Sequence, residues 1–168
     1  MSFPNTARLS EEQVFSTYTT ERVTVGTRGM TEDGRVFRFC ENGAAAQVVA
    51  SLYQSEVPVT DIAAEVIATL AAGVSVLTGV GATGTDVAID ALKEGYVFSP
   101  TAADLNPAYR VKSNTLLDAG AATGTITLYV PLQAAIAAAS TITGIKNPYR
   151  DVIITAATTP TARVVGVA

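Results

Sequence analysis

The run Gly79-Val-Gly81-Ala-Thr-Gly84 has the spacing GxGxxG, follows a β-type stretch at Val74–Thr78, and precedes Asp104. In a dinucleotide-binding unit such glycines let the backbone approach a pyrophosphate. The next helix offers its N-terminus to the phosphates, and an acidic residue about twenty positions on binds the ribose. That unit also needs alternating strands and helices. Here the stretch from Asp86 to Glu94 is barely two helical turns, and more β-type sequence follows it. The spacing is read as a glycine loop between two strands, with a nucleotide-binding enzyme using Gly79–Gly84 as the rival reading.

Other reactive constellations are scarce. The chain has no histidine, so neither a Ser–His nor a Cys–His pair is possible. Cys40 is the single cysteine, excludes an intrachain disulfide, and is read as a small buried hydrophobe. A metal site would have to be all oxygen. Asp86 and Asp90, four apart, fit one face of a short helix, where capping and solvation explain them. Tyr96, Tyr109, Tyr129 and Tyr149 fall in or beside β-type runs and are read as core or interface anchors. No catalytic, cofactor-binding or metal residue is assigned and no cofactor is expected, so the chain is not read as an enzyme.

Composition points toward packing instead. Of the 168 residues 48% are hydrophobic and only 15% charged, against about a quarter charged in an average domain. A surface so poor in ions suits burial against other protein. The net charge of −4 gives no counterion-release advantage on nucleic acid, so no nucleic-acid partner is expected. Arg22, Arg28, Arg35 and Arg38 lie close in sequence, but Glu21, Glu32, Asp33 and Glu41 are interspersed among them. The most apolar stretch, Ile62 to Val80, contains Glu65, two glycines and many alanines, so no membrane segment is expected. Met1–Asn5 lacks a basic run before an apolar core and is not read as a secretory signal.

These residues need elements to position them. Residues 1–20 are read as an extended N-terminal arm with the apolar anchors Phe3, Pro4, Leu9, Phe15 and Tyr18, and Ser10 with Gln13 fits a capping box. Residues 21–168 are read as one β-rich domain. Its clearest signal is a hairpin: Arg22–Gly26, a turn at Thr31-Glu-Asp-Gly34, then Arg35–Phe39 with Phe37 and Phe39 on one face. Ala44–Tyr53 fits helix or strand. Ile62, Val66 and Leu70 lie four apart and predict a helix capped by Thr60 or Asp61 and stopped by Gly73. Short strands follow at Val74–Thr78, Tyr96–Phe98, Tyr109–Lys112, Thr125–Val130, Thr141–Thr143, Val152–Thr155 and Arg163–Val167. The fold class expected is mostly β, a β-sandwich or small β-barrel with an extended N-terminal arm.

The run TERVTVGTRGMTEDGRVFRFCENGA from Thr20 to Ala44 resembles the N-terminal part of tailed-phage virion proteins found beside the major capsid protein. The later order KEGYVFSP, AYRVKSN, TITLYVPLQ, NPY and TPTARVVGVA is also similar. The resemblance covers most of the chain through turn and strand patterns, and fits least well over Val57–Leu70. It implies a capsid decoration (cement) protein, a structural bacteriophage protein made in the host cytoplasm and seated on the capsid surface of the virion. It implies two partners, the major capsid protein and further copies of the chain in a homo-oligomer, expected as a trimer. Partner contacts are expected at Phe3, Pro4, Leu9, Phe15, Tyr18, Arg28, Arg35, Phe37 and Phe39. A minor capsid, head-fibre or tail-tube protein is the alternative within the virion.

Overall fold

The computed structural model describes residues 6–57, 62–101, 107–138, 140–156 and 159–167. It is mostly β, as the alternating runs predict. Contacts divide it into two compact units, one of residues 1–57 with 148–168, the other of residues 58–147. The sequence alone suggests a boundary at residue 20 and one domain beyond it.

In the first unit, β1 (Thr6–Arg8) pairs in parallel with β2 (Arg28–Met30), which pairs antiparallel with β3 (Val36–Arg38). Between β1 and β2 lies one helical turn, α1 (Glu11–Val14), closed by the expected capping box. The Gln13 N–H donates to Ser10 Oγ, and the Ser10 N–H donates to Gln13 Oε1. The hairpin turn forms where Asp33-Gly34 predicts it, with Gly34 at φ 87° and the Thr31 N–H donating to Arg35 O at 3.1 Å. The first strand of the hairpin is Arg28–Met30, not Arg22–Gly26. Gly26, at φ 86°, sits in a separate turn in which the Thr27 N–H donates to Thr24 O, so the ladder is taken up nearer the hairpin turn.

A second sheet in this unit has β4 (Leu52–Gln54) at its centre, between β11 (Ile153–Ile154) and β12 (Val164–Val167). Ala44–Tyr53, ambiguous in the sequence, thus ends in a strand. Gln54 is buried, and its amide bonds twice to Thr161, donating to Oγ1 at 2.7 Å and accepting from the N–H at 3.2 Å.

The second unit is a nearly closed antiparallel sheet in the order β5-β10-β7-β8-β9-β6. Its strands are β5 (Glu65–Val66), β6 (Val76–Val80), β7 (Tyr96–Phe98), β8 (Tyr109–Asn114), β9 (Gly124–Leu128) and β10 (Thr141–Ile145). Alternation sends Leu77, Val97, Val111, Ile126, Leu128 and Ile142 inward, and each is 3% exposed or less. Burying a side chain of this size is worth roughly 1.5–3 kcal/mol, so these six positions carry much of the barrel's stability. The two edge strands meet through side chains, because the Thr83 hydroxyl just past β6 donates to Glu65 Oε2 on β5 at 2.7 Å.

The helix predicted over 62–72 is not formed. Glu65–Val66 is strand, Leu70 bridges Ile136, and Gly73 is in a turn. Burial explains the difference. Ile62, Ile67 and Leu70 face the core, while Val66, a member of the four-residue stripe, is 56% exposed. The expected caps Thr60 and Asp61 lie outside the described residues.

Candidate functional site

The glycine loop does not assemble a phosphate cradle among the described residues. Gly79 lies within β6, and the chain beyond Gly84 goes into a bridge at Val87 and turns at 89–94, with no helix. A Cβ on Gly81 would lie 3.1 Å from Glu65 Oε1. The closest approach to the backbone is therefore occupied by a carboxylate, which repels a pyrophosphate. Asp104 lies outside the described residues.

Asp86 and Asp90 do not share a helical face. Asp86 Oδ1 accepts from the Ala119 N–H at 2.9 Å and Asp90 Oδ1 from the Asn114 N–H at 3.3 Å. They tie segment 86–90 to segment 114–119, and the Val87–Leu117 bridge lies between the two ties. Buried Asn114 completes the joint. Its amide donates to Ala88 O and Thr115 O and accepts from the Leu92 N–H. No group of acidic or cysteine side chains able to hold a metal is found among the described residues. Burial pushes the Cys40 thiol up to about 11, the nearby Arg38 charge opposing only in part. At neutral pH it therefore stays protonated and a poor nucleophile.

The predicted contact residues are partly brought together. Leu9 packs onto the hairpin, where a Cβ on Gly29 would lie 2.3 Å from its Cδ1. Arg35 ion-pairs with Glu11 of α1 and with Asp33 of the turn at 2.6 Å, and lies 5.8 Å over the Phe37 ring. Phe37 and Phe39 are half-buried and Arg28 is exposed. Phe15 is 77% exposed, and Tyr18 is exposed with Arg22 5.4 Å above its ring. Phe3 and Pro4 lie outside the described residues.

A second surface was not assembled by sequence reasoning. On the outer face of the barrel, register places Ile145 beside Tyr96 and Tyr96 beside Arg110, and the Tyr129 N–H donates to Arg110 O at 3.1 Å. The four form one row across β10, β7, β8 and the end of β9. Ile145, Tyr96 and Tyr129 are each about half exposed. Beneath the row Glu94 is buried in left-handed backbone at φ 65°. Its Oε1 accepts from the Tyr129 hydroxyl at 2.5 Å. Its Oε2 ion-pairs with Arg110, though no N–H points along a hydrogen bond to that oxygen. Arg110 also lies 5.2 Å over the Tyr129 ring. The guanidinium is thus held from two sides within the barrel. Sequence alternation marked Tyr96 and Tyr129 as anchors, but not the carboxylate that joins Tyr129 to Arg110.

No family model, curated protein or solved structure matches the chain. No helix among the described residues is long and apolar enough to cross a membrane.

Proposed function

We propose that the chain is a structural virion protein that binds the outside of a tailed-phage icosahedral capsid and stabilises it, acting as a homo-oligomer. One observation carries this reading. Residues 6–13 are fastened by parallel pairing, a capping box and the Arg35–Glu11 ion pair, and Phe15 and Tyr18 just beyond them are exposed. Anchored backbone carrying exposed aromatic side chains is the arrangement a docking surface needs, because little ordering entropy remains to be lost on contact. The charge-poor composition and the resemblance over Thr20–Ala44 support the same reading. On a shell the contact repeats at every equivalent position, so weak single contacts add to firm retention.

The test uses purified protein and expanded tailed-phage shells built from a major capsid protein. The intact chain is expected to occupy the outer surface in electron micrographs. The double variant Phe15→Ser/Tyr18→Ser is expected to lose most of that occupancy while keeping its circular dichroism. Full occupancy by the variant would remove segment 6–18 from the contact. An intact chain found only at another place in the virion, or binding no shell, would overturn the decoration reading.

A further inference from the structure

We propose that the barrel of residues 58–147 joins a second copy of this chain head to tail, the arginine–tyrosine row of one copy seating on the acidic surface of segments 86–90 and 114–119 of the next. This rests on the homo-oligomer reading above and names its contact.

Among the described residues, the barrel's charges are unevenly placed. The lysines and arginines of residues 58–147 are Lys93, Arg110, Lys112 and Lys146. Arg110 and Lys112 share the outer face of β8. Lys93 lies close enough to Tyr129 for its charge to act on that phenol, and Lys146 directly follows Ile145. Arg110 and Lys112 therefore lie at the row, Lys93 close by it, and Lys146 next to it in sequence. At the other end of β8, Asp86 and Asp90 are bonded to the Ala119 and Asn114 N–H groups, and Asp118 lies within the same segment. Arg110 and Asn114 are four residues apart on one strand, about 13 Å at the usual rise.

Both ends also expose apolar side chains. Ile145, Tyr96 and Tyr129 line the cationic row, with Val130 next to it at 54% exposed. Ile89, 70% exposed, and Leu116, 45% exposed, lie among the aspartates. Each surface thus combines apolar area with an excess of one charge, Glu94 offsetting Arg110 in the row, and the two excesses are opposite in sign. Tyrosine and arginine are the residues most enriched at interface centres. The grip of Glu94 and the Tyr129 ring on Arg110 removes side-chain freedom that binding would otherwise have to remove. Because the two surfaces are different patches of one chain, the contact is heterologous. It closes into a ring where the rotation allows, which is how a trimer would form.

The experiment measures the mass of the full-length protein in solution across a concentration series at low and high salt. Wild-type protein is expected to associate, and to do so more weakly at high salt. Lys112→Glu and Asp118→Lys are each expected to weaken association about tenfold or more by setting like charges face to face. The double variant Lys112→Glu/Asp118→Lys, with both signs reversed, is expected to recover most of it, which a purely structural effect of either substitution would not produce. Should Asp118→Lys fail to fold, Ile89→Ser tests the same surface through an exposed side chain, with the same expected loss. A monomeric wild type, or association unchanged in both Lys112→Glu and Ile89→Ser, would overturn the contact. Shell occupancy is read separately. Monomers that decorate shells would sink this contact alone, and oligomers that ignore shells would sink the decoration reading alone.

Discussion

Glu94 shows how much chemistry a single residue can organise. It is buried, yet both its side-chain partners, Arg110 and Tyr129, reach the surface. The hydrogen bond to Glu94 raises the Tyr129 phenol above its usual value, with desolvation and the charge of Glu94 adding to it and Arg110 and Lys93 opposing. A phenol raised in the folded state favours folding fully below the unfolded phenol value. That contribution is lost as pH rises through the higher folded value. Tyr129 is therefore expected to ionise later than a free tyrosine, read as tyrosinate absorbance, and stability is expected to fall over that alkaline window. In Tyr129→Phe the alkaline fall attributable to this residue should vanish. Denaturant unfolding at neutral pH should show a loss of about 1–2 kcal/mol, because Glu94 Oε1 loses its donor. An unchanged alkaline profile in the variant would show that the bond does not hold the proton. The sequence made Tyr129 readable through the alternation of Thr125–Val130. Glu94 was unreadable, because its partners lie 16 and 35 positions further along and only the sheet brings them together.

At the scale of elements, period-two patterns were the dependable signal. Tyr109–Lys112 and the first four residues of Thr125–Val130 became strand with Tyr109, Val111, Ile126 and Leu128 inward, as alternation selects, but the strand stops at Leu128 and leaves Val130 exposed. The turn at Asp33-Gly34 and the capping box at Ser10 were legible because each rests on local chemistry: positive φ in one, side-chain to backbone bonds in the other. The four-residue stripe Ile62–Val66–Leu70 misled because short apolar spacing fits both a helix and a barrel edge, and the core took Ile67 in place of Val66. The parallel pairing of β1 with β2 left no local mark at all. It depends on Gly29, whose missing side chain lets Leu9 lie against the hairpin. Gly29→Ala should force Leu9 aside, at about 1–3 kcal/mol for an overpacked site. The Leu9 N–H, which donates to Met30 O at 3.0 Å, should then exchange with solvent markedly faster than in the wild type, while amides of the barrel keep their protection. Equal exchange at Leu9 in both proteins would mean that the close approach is not what fastens β1.

For the whole molecule the decisive feature is that the barrel is inserted between β4 and β11 of the other unit, so one unit is continuous in sequence and the other is not. Composition did not single this out: a proline stands at each junction, Pro58 and Pro148, but prolines of the same kind also lie within the barrel, at Pro100 and Pro131. The barrel has the properties of an independent folding unit. Its buried cluster is drawn wholly from residues 62–142. The Gly144 N–H donates to Ile62 O at 2.9 Å, so the chain enters and leaves it at neighbouring points, as inserted domains do. The outer unit, by contrast, needs both of its segments: β4 takes its two partners from beyond residue 148, and the Ser55 N–H donates to Arg163 O at 2.8 Å. Joining those segments across an unfolded insert would cost loop-closure entropy that a folded barrel with adjacent ends largely removes. The barrel should therefore form without the outer unit, and the outer unit should depend on the barrel. A fragment of residues 58–147 is expected to show β-type circular dichroism and one cooperative melting transition. Leu117→Ala in the full-length chain, at a fully buried barrel position, should cost about 2–5 kcal/mol and lower the protection of the Ser55 amide along with that of the barrel amides. A fragment that stays unfolded, or a Ser55 amide indifferent to Leu117→Ala, would show instead that the two units fold in the opposite order or as one.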